Sequence, residues 1–396
     1  RYTILLKTMA QKNILISNAR IAGSAQLLTD GWLLVDSGRI SAIGEGKAPA
    51  DLKQRVDIIV NADGLLLLPG FIDLHTHGAL GVDFMSASEA ELQRVSDFFA
   101  AHGVTGFLAT TWSASADSID QTIANVRAVM GRENGAALLG IHLEGPYINP
   151  SRAGAQSPRE IRAATQEEAL PYLDSGLVRV ITIAPEIKEN HWLFKACKER
   201  NIRISVGHSD ATYAEIRSAV EQGLTQVTHT FNGMRAFNQR EPGVVGAALE
   251  MDELCCEVIV DKVHVHPAAI RLLLRSKPAH QVVLVTDSIA GTGFPPGVVE
   301  IQGRKIRFTE HDARLSDGTL AGSVLTMDQA LRNLAEIMDK PVEELSAYSS
   351  QNAGRVLGLE NRKGAIREGM DADLVLLDDH LSVKMTIVNG KTVYQR

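Results

Sequence analysis

The feature that most constrains the fold of this chain is a repeated alternation of short apolar strands and amphipathic helices. Eight strand candidates in the central part of the chain are each followed by apolar residues near the helical period. Continuous apolar strands are typical of parallel sheets covered on both faces. Eight such units predict an α/β fold, a (β/α)8 TIM-like barrel, although open doubly wound sheets share the alternation. The candidates are Leu65–His75, Gly103–Thr111, Ala137–Glu144, Leu177–Ala184, Asn201–His208, Leu224–Thr230, Cys255–Asp261 and Gln281–Asp287.

The two ends of the chain follow a different pattern, in which short strands are separated by Asn, Asp and Gly turns. We expect a small β-sandwich domain built from both termini, with residues 1–64 as its N-terminal part and 359–396 as its C-terminal part. The barrel would then span residues 65–358. Residues 295–317 are predicted to form a strand-rich flap over the site. The terminal strand candidates are 13–21, 31–43, 56–61, 364–366, 372–377, 384–388 and 392–395, with Asn389-Gly390 as a hairpin turn.

Composition narrows the classes of partner. A formal net charge of −7 argues against nucleic acid or an anionic membrane as the main partner. The three cysteines form no CxxC motif, which favours a reducing cytoplasm and buried thiols. No apolar stretch approaches the roughly 20 residues that span a bilayer. Residues 1–8 precede Met9 and lack the apolar core of a signal peptide, so we expect an upstream extension there.

The first strand candidate ends in the motif Gly70-Phe-Ile-Asp-Leu-His75-Thr-His77-Gly78. Two histidines separated by one residue share a face of an extended strand, because successive side chains alternate sides. Paired imidazoles suit a transition metal such as zinc or iron. Taken alone, a His-x-His motif is a weak signal.

Further candidate ligands follow other strands of the predicted barrel, where the chemistry of such folds is located. Any one of them could be a polar residue satisfied by backbone at the barrel rim. Together they predict a site for one or two divalent metal ions per subunit. The set contains no cysteine, which favours Zn²⁺ or Fe²⁺ over copper(I) or an iron–sulfur cluster. The candidates are His75, His77, Glu144, His208, His229 and Asp287.

Asp287 is the candidate general base. A bound divalent metal lowers the pKa of water from 15.7 to roughly 7 and can polarise a carbonyl. Asp287 follows a Val-Val-Leu-Val strand and is therefore expected to be partly desolvated. It could take the proton of the water and return it to a leaving amine, or act as an additional metal ligand, and the two roles are compatible.

Several motifs resemble a known family. The segments Asp73-Leu-His-Thr-His-Gly78 and Val285-Thr-Asp-Ser288 resemble those of the amidohydrolase superfamily. Five further blocks resemble the N-acetylglucosamine-6-phosphate deacetylases, and they run through the whole barrel. They are His142-Leu-Glu-Gly-Pro-Tyr147, Val206-Gly-His-Ser209, Thr228-His-Thr-Phe-Asn-Gly-Met234, Arg240-Glu-Pro-Gly243 and Asp317-Gly-Thr-Leu-Ala-Gly-Ser323. The resemblance implies hydrolysis of the acetamide of an N-acetylhexosamine 6-phosphate in amino-sugar catabolism, with N-acetyl-D-glucosamine 6-phosphate as the first choice of substrate.

The resemblance also implies roles for the candidate ligands. Glu144, His208 and His229 would bind the principal metal, and Asp287 would be the catalytic acid and base. His75 and His77 would hold a second metal, with Glu144 in the bridging position.

A substrate pocket is likewise implied by the resemblance. Arg240 and His264 would clamp the sugar phosphate, with Arg240 completing the site of the neighbouring subunit in a homodimer. The residue types alone leave other interpretations open, since Arg240 could form a rim salt bridge and His264 could be a solvated turn residue. The other implied substrate contacts are Ala155, Gln156, Asn232, Gly233, Leu320, Ala321 and Gly322.

Gln156 departs from the family pattern, because the matching loop ordinarily ends in histidine. Glutamine donates a neutral hydrogen bond but cannot become a cation. This makes the galacto epimer, N-acetylgalactosamine 6-phosphate, or another N-acyl substrate an alternative. A remote non-enzymatic alternative is a metal-free scaffold protein, which the presence of all six candidate ligands argues against.

Overall fold

The eight predicted barrel strands are confirmed in the computed structural model, which describes residues 12–23 and 27–396. The expected extension at residues 1–8 lies outside the described residues. The strands pair in parallel in chain order, and the barrel closes where the Asp287 N–H donates to the His75 carbonyl at 2.8 Å. The barrel strands, one to eight, are Phe71–Thr76, Val104–Thr110, Ala137–Glu144, Val178–Ile183, Arg203–Val206, Leu224–Val227, Cys255–Ile259 and Val282–Val285.

Three of the barrel strands that end earlier than the sequence predicts stop just before a candidate ligand. Strands five, six and eight stop two residues before His208, His229 and Asp287. These three residues have φ values of +46°, +30° and +49°, in the left-handed region. A left-handed residue cannot continue a strand ladder, and such conformations concentrate at functional sites. The turn redirects each side chain to the C-terminal end of the barrel.

The predicted first strand, Leu65–His75, is divided at Gly70. Leu66–Pro69 pairs with Ile14–Ile21 and with Leu374–Leu377 in the terminal sheet, and Phe71–Thr76 belongs to the barrel. A Cβ at Gly70 would lie 2.1 Å from Thr105 Cγ2, so the close approach of the second barrel strand requires glycine.

The terminal strands form one mixed sheet built from both ends of the chain, as predicted. A second apolar core, separate from that of the barrel, packs on it. The candidate strand 31–43 is instead part of a hairpin that turns at Ser37-Gly38, where both residues have positive φ, and residues 364–366 form no strand. The Asn389-Gly390 turn is confirmed. The strands are Ile14–Ile21, Leu28–Asp36, Arg39–Glu45, Ile58–Asn61, Leu66–Pro69, Leu374–Leu377, Val383–Val388 and Lys391–Gln395.

Helices follow the barrel strands and cover the barrel. Ser88 and Thr212 begin two of them with complete capping boxes, which fixes where those helices start. Residues 341–357 contain two short α-helices on either side of a 3-10 turn at Ser346–Ser349. The helices are Ala50–Gln54, Glu89–Ala101, Ala116–Val129, Gln166–Asp174, Trp192–Glu199, Tyr213–Gln222, Gly243–Glu250, Pro267–Ser276, Met327–Met338, Val342–Leu345 and Gln351–Val356. Among the described residues, none of these helices has the length and apolarity required to cross a bilayer.

The predicted flap is a three-stranded antiparallel sheet of Gly297–Ile301, Arg304–Phe308 and Ala313–Leu315. It follows the eighth barrel strand and lies at the rim of the site. Arg304 donates to the carbonyl oxygens of Ala155 and Gln156 at 2.7 and 3.0 Å. The flap is thus attached to a loop that carries two of the predicted substrate contacts.

Candidate active site

The structure brings all six predicted ligands together at the C-terminal end of the barrel. We call Glu144, His208 and His229 the three-strand group. Glu144 is the last residue of strand three, and His208 and His229 lie two residues beyond the ends of strands five and six. Glu144 Oε1 lies 3.0 Å from His229 Nε2 and 3.2 Å from His208 Nε2. The two imidazole nitrogens are 3.1 Å apart. One carboxylate oxygen and two ring nitrogens therefore converge on one point.

His75 and His77, which we call the His-x-His group, converge on the other side of Glu144. Their Nε2 atoms are 3.3 Å apart. Asp287 Oδ1 lies 3.3 Å from His77 Nε2 and 3.5 Å from His75 Nε2. Glu144 Oε2 lies 3.4 Å from His77 Nε2 and Glu144 Oε1 lies 3.6 Å from His75 Nε2, so Glu144 faces both groups.

The donor atoms fit a divalent metal ion. In each group, two imidazole nitrogens lie near an oxygen of the buried Glu144 carboxylate. Zn²⁺ and Fe²⁺ accept this combination of donor atoms. The ring of His208 is oriented suitably, because its Nδ1 donates to the Arg152 carbonyl at 2.8 Å and leaves Nε2 free to bind. The ring of His77 stacks on Trp112, with centroids 3.9 Å apart.

The electrostatics of the cluster also favour a cation. Although burial opposes the charged form, the nearby imidazoles lower the pKa of Asp287 to about 2 and hold the pKa of Glu144 well below its usual range. Conversely, burial opposes protonation of His75, but Glu144 and Asp287 raise its pKa well above the usual value. The carboxylates thus stabilise positive charge at this point, which either protons or a metal ion can supply.

A cavity of about 370 Å³ opens above the candidate metal ligands. Of the predicted substrate contacts, seven line it, whereas Ala321 is buried behind its wall and Arg240 is exposed outside it. The lining residues that sequence reasoning missed are Trp112, Gly154, Arg314, Gly318 and Thr319. Arg314 precedes the Asp317 block, but no pattern in the sequence indicates which face of the flap it occupies. The predicted lining residues are Ala155, Gln156, Asn232, Gly233, His264, Leu320 and Gly322.

His264 and Arg314 place two basic side chains in one part of the cavity wall, each paired with a carboxylate. The Nδ1 atom of His264 lies 2.6 Å from Asp261 Oδ2. Burial disfavours the charged imidazole, but Asp261 outweighs it and raises the pKa of His264. Arg314 donates to Asp312 at 2.6 Å and to the Gly318 carbonyl at 2.9 Å. An anionic part of a ligand would be favoured here.

Gln156 contacts the three-strand group directly. Its Nε2 donates to Glu144 Oε2 at 2.6 Å, and its Oε1 accepts from the Ser113 N–H at 2.6 Å. The residue is 1% exposed. The departure from the family pattern therefore lies against a candidate metal ligand as well as in the cavity wall.

Fold and site together define a metal-binding barrel hydrolase, and the comparisons agree. The sequence profile of the amidohydrolase family matches residues 66–393, and the chain belongs to that family. An N-acetylglucosamine-6-phosphate deacetylase of Bacillus subtilis (strain 168) is 35% identical over 389 residues, which cover 97% of this chain and 98% of the relative. An N-acetylgalactosamine-6-phosphate deacetylase of Escherichia coli O157:H7 is 33% identical, covering 92% of this chain and 97% of that protein.

A solved structure supports the same relationship. A variant of the N-acetyl-D-glucosamine-6-phosphate deacetylase of Mycobacterium smegmatis, in complex with N-acetyl-D-glucosamine-6-phosphate, superposes with a TM-score of 0.88. It is 32% identical, and the alignment covers 97% of this chain and all of that one. The family expected from the sequence motifs is thereby confirmed.

Proposed function

We propose that this protein is a metal-dependent deacetylase that hydrolyses the acetamide of N-acetyl-D-glucosamine 6-phosphate to the amino-sugar 6-phosphate and acetate. The observation that carries the proposal is one cavity with candidate metal ligands at its floor and the basic side chains of His264 and Arg314 in its wall. The relatives named for this reaction support the choice of substrate. The reaction would serve amino-sugar catabolism, and three unpaired cysteines support a cytoplasmic setting.

N-Acetylgalactosamine 6-phosphate is the second candidate substrate. A relative named for that substrate covers most of the chain, and Gln156 stands where the family pattern has histidine. Gln156 lines the cavity and holds Glu144, so it is placed to affect both the sugar and the metal.

For the metal, we infer Zn²⁺ or Fe²⁺, with one or two ions per subunit. The three-strand group would hold the first ion and the His-x-His group the second, with Glu144 facing both. When bound, such an ion supplies a Lewis acid that acidifies water and polarises the amide carbonyl.

Asp287 is proposed as the residue that moves the proton. Its carboxylate is ionised at neutral pH, and Oδ1 faces the candidate metal ligands, where it could accept a proton from the attacking water. The new C–O bond forms as the amide C–N bond breaks. Asp287 then returns the proton to the departing nitrogen, which leaves as an amine.

His264 and Arg314 are proposed to bind the phosphate of the substrate. A guanidinium and an imidazole whose pKa is raised are suited to bind a phosphate. Arg240 is exposed and outside the cavity of its own chain, which is compatible with its proposed role in the neighbouring subunit of a homodimer. The proposal therefore predicts phosphate contacts from two chains.

Acetate release by the metal-reconstituted protein tests the proposal. Four substrates are compared, namely N-acetylglucosamine 6-phosphate, its galacto epimer and both unphosphorylated sugars. We expect strong dependence on phosphate, and the preferred epimer distinguishes the two candidate substrates. Turnover that is equal with and without phosphate would contradict the phosphate clamp, and no turnover on any of the four would leave only another N-acyl amidohydrolase or a scaffold.

Arg314→Gln provides a second arm of this experiment. Because the Arg314 side chain is 43% exposed, we expect only a modest rise in KM for the sugar phosphate, about threefold to tenfold, with kcat retained. Arg307→Gln, at an exposed flap position outside the cavity lining, is the matched control and should leave KM unchanged. An unchanged KM in Arg314→Gln would exclude this residue from phosphate binding.

A further inference from the structure

Glu257 is a fully buried carboxylate in the seventh barrel strand, a position to which neither the motifs nor the proposed mechanism assign a role. Its Oε2 lies 3.1 Å from His75 Nδ1 and accepts from the His229 N–H at 3.2 Å. Its Oε1 accepts from Gln226 Nε2 at 2.5 Å. An ionised carboxylate in the barrel interior is costly unless it is paired, so these contacts account for its presence.

The contact with His75 determines which nitrogen of that ring can bind a metal. An ionised carboxylate only accepts hydrogen bonds, so Nδ1 of His75 must carry the proton. Nε2 is then the free nitrogen once the ring is neutral. That atom faces the centre, 3.3 Å from His77 Nε2 and 3.6 Å from Glu144 Oε1.

We infer that Glu257 is the positioning residue that orients His75 and makes the His-x-His group a second metal position. The inference rests on the proposed metal centre but not on the identity of the substrate. Partners of this kind behind a metal-binding histidine fix its tautomer and ring angle, and their loss costs about 10- to 100-fold in metal affinity.

The same residues could suggest a third metal position between His75, His142 and Glu257, because their donor atoms lie within 4.8 Å of one another. The hydrogen bonds of His142 argue against it. Its Nδ1 donates to the Leu74 carbonyl at 3.1 Å, and its Nε2 accepts from the Thr182 hydroxyl at 2.7 Å. Both nitrogens are thus already used, and Glu257 is better explained by its bond to His75.

The ring of His77 is held in a different way from that of His75. Within the described part of the chain, His77 Nδ1 has no hydrogen-bond partner, and its ring is held by stacking on Trp112. Stacking fixes the plane of a ring but not its tautomer. The carboxylate of Glu257 supplies that selection for His75, and it does so from behind the centre, where it leaves the metal side open.

Metal titration of the chelator-treated protein tests the inference without any sugar. Zn²⁺ and Co²⁺ binding are measured by equilibrium dialysis, and the visible spectrum of the Co²⁺ form is recorded at each equivalent. The first variant, Glu257→Leu, removes the acceptor for His75 Nδ1. The second, Glu257→Gln, keeps an amide oxygen as that acceptor if the Gln226 amide rotates to accept from the new amide nitrogen. Thr182→Val is the matched control, because it removes a buried hydrogen bond from His142 instead of His75.

We expect the second ion to bind about 10- to 100-fold more weakly in Glu257→Leu, with partial recovery in Glu257→Gln and no change in Thr182→Val. The first ion should be affected less, because Glu257 contacts only the backbone of His229. The Co²⁺ spectrum should change mainly at the second equivalent. If Glu257→Leu does not fold, the affinity for the second ion in Glu257→Gln, compared with that in Thr182→Val, still tests the inference.

Two results would overturn the inference. One is unchanged affinity for both ions in Glu257→Gln and in any folded Glu257→Leu protein. The other is that the wild-type protein binds only one ion and that Glu257→Gln binds this ion with the same affinity. Because substrate is absent throughout, neither result depends on whether the proposed deacetylase reaction is correct.

Discussion

The three-strand group draws its candidate ligands from the ends of three separate barrel strands, whereas the His-x-His group draws both histidines from the end of one strand. In the first group, His208 and His229 lie in left-handed turns just beyond their strands, and three donor atoms meet within 3.0–3.2 Å. In the second, the donor atoms are 3.3–3.6 Å apart, and buried neighbours orient the rings. Backbone geometry thus builds the first group, and side-chain partners complete the second.

This difference predicts two unequal metal positions. A site formed by convergent backbone turns is present as soon as the barrel closes. A site that depends on Glu257 and Trp112 can be weakened by changes to residues that never touch the metal. We therefore expect the three-strand group to bind the first ion more tightly, with Glu144 shared between the two.

Removing one histidine from each group should give the largest contrast. His208→Asn should remove the first ion and nearly all activity, because the three-strand group then has two donors left. Asparagine tolerates the left-handed backbone at this position. His75→Asn should leave about one ion per chain and substantial activity. Metal content and kcat are measured on both proteins, and equal losses in the two would contradict the unequal sites.

Asp287→Asn should give the next largest effect. We expect kcat to fall about 10²- to 10⁴-fold, because the proton acceptor is lost while the size and the left-handed backbone are kept. The first ion should remain bound, which metal analysis checks. Asp328→Asn is the control, since this buried carboxylate pairs with His102 and Arg332 away from the cavity. A kcat within threefold of wild type would remove Asp287 from the mechanism.

The pH dependence of metal binding sharpens the comparison for the His-x-His group. Because Glu144 and Asp287 raise the pKa of His75 against the effect of burial, the metal-free ring keeps its proton to a higher pH than an ordinary imidazole. An entering ion must displace that proton, so affinity for the second ion should rise about tenfold per pH unit for each proton released, until pH exceeds the raised pKa. Calorimetry in buffers of different ionisation enthalpy counts the protons. Affinity that is independent of pH would contradict this account.

Gln156→His should have the smallest effect on the metal and a visible effect on the substrate. A neutral imidazole also offers one donor and one acceptor, but its two nitrogens are placed differently from the amide nitrogen and oxygen that bond Glu144 and Ser113, so these contacts should change. We expect a changed kcat and a changed ranking of the gluco and galacto substrates, with the first ion still bound. Unchanged kinetics on every N-acetyl sugar phosphate would show that Gln156 determines neither the choice of sugar nor the turnover rate.

Much of the fold could be predicted from the sequence, because the barrel repeats one local pattern. Continuous apolar strands and capped helices recur, and each candidate ligand stands where an apolar run stops. The strand limits near His208, His229 and Asp287 were missed because a positive φ at a non-glycine residue leaves no compositional trace. The break at Gly70 was missed because both halves of that run are apolar, and only tertiary pairing assigns them to different sheets.

The supporting residues of the site were harder to predict. Glu257 lies 182 residues from His75 along the chain, and its contact exists only because the barrel places both on its interior. A glutamate within an apolar strand is itself a signal, since such a carboxylate must be paired. Arg314 and the bond from Gln156 to Glu144 depend on side-chain direction across separate loops, which periodicity does not encode.

The most direct test of the central claim is a titration of the metal-free protein with Zn²⁺ during turnover of N-acetylglucosamine 6-phosphate. Acetate release and bound metal are followed together. We predict no activity without metal, most of the activity with the first equivalent, and a smaller change with the second. Acetate release by the metal-free protein, or activity that appears only after both ions are bound, would contradict the account.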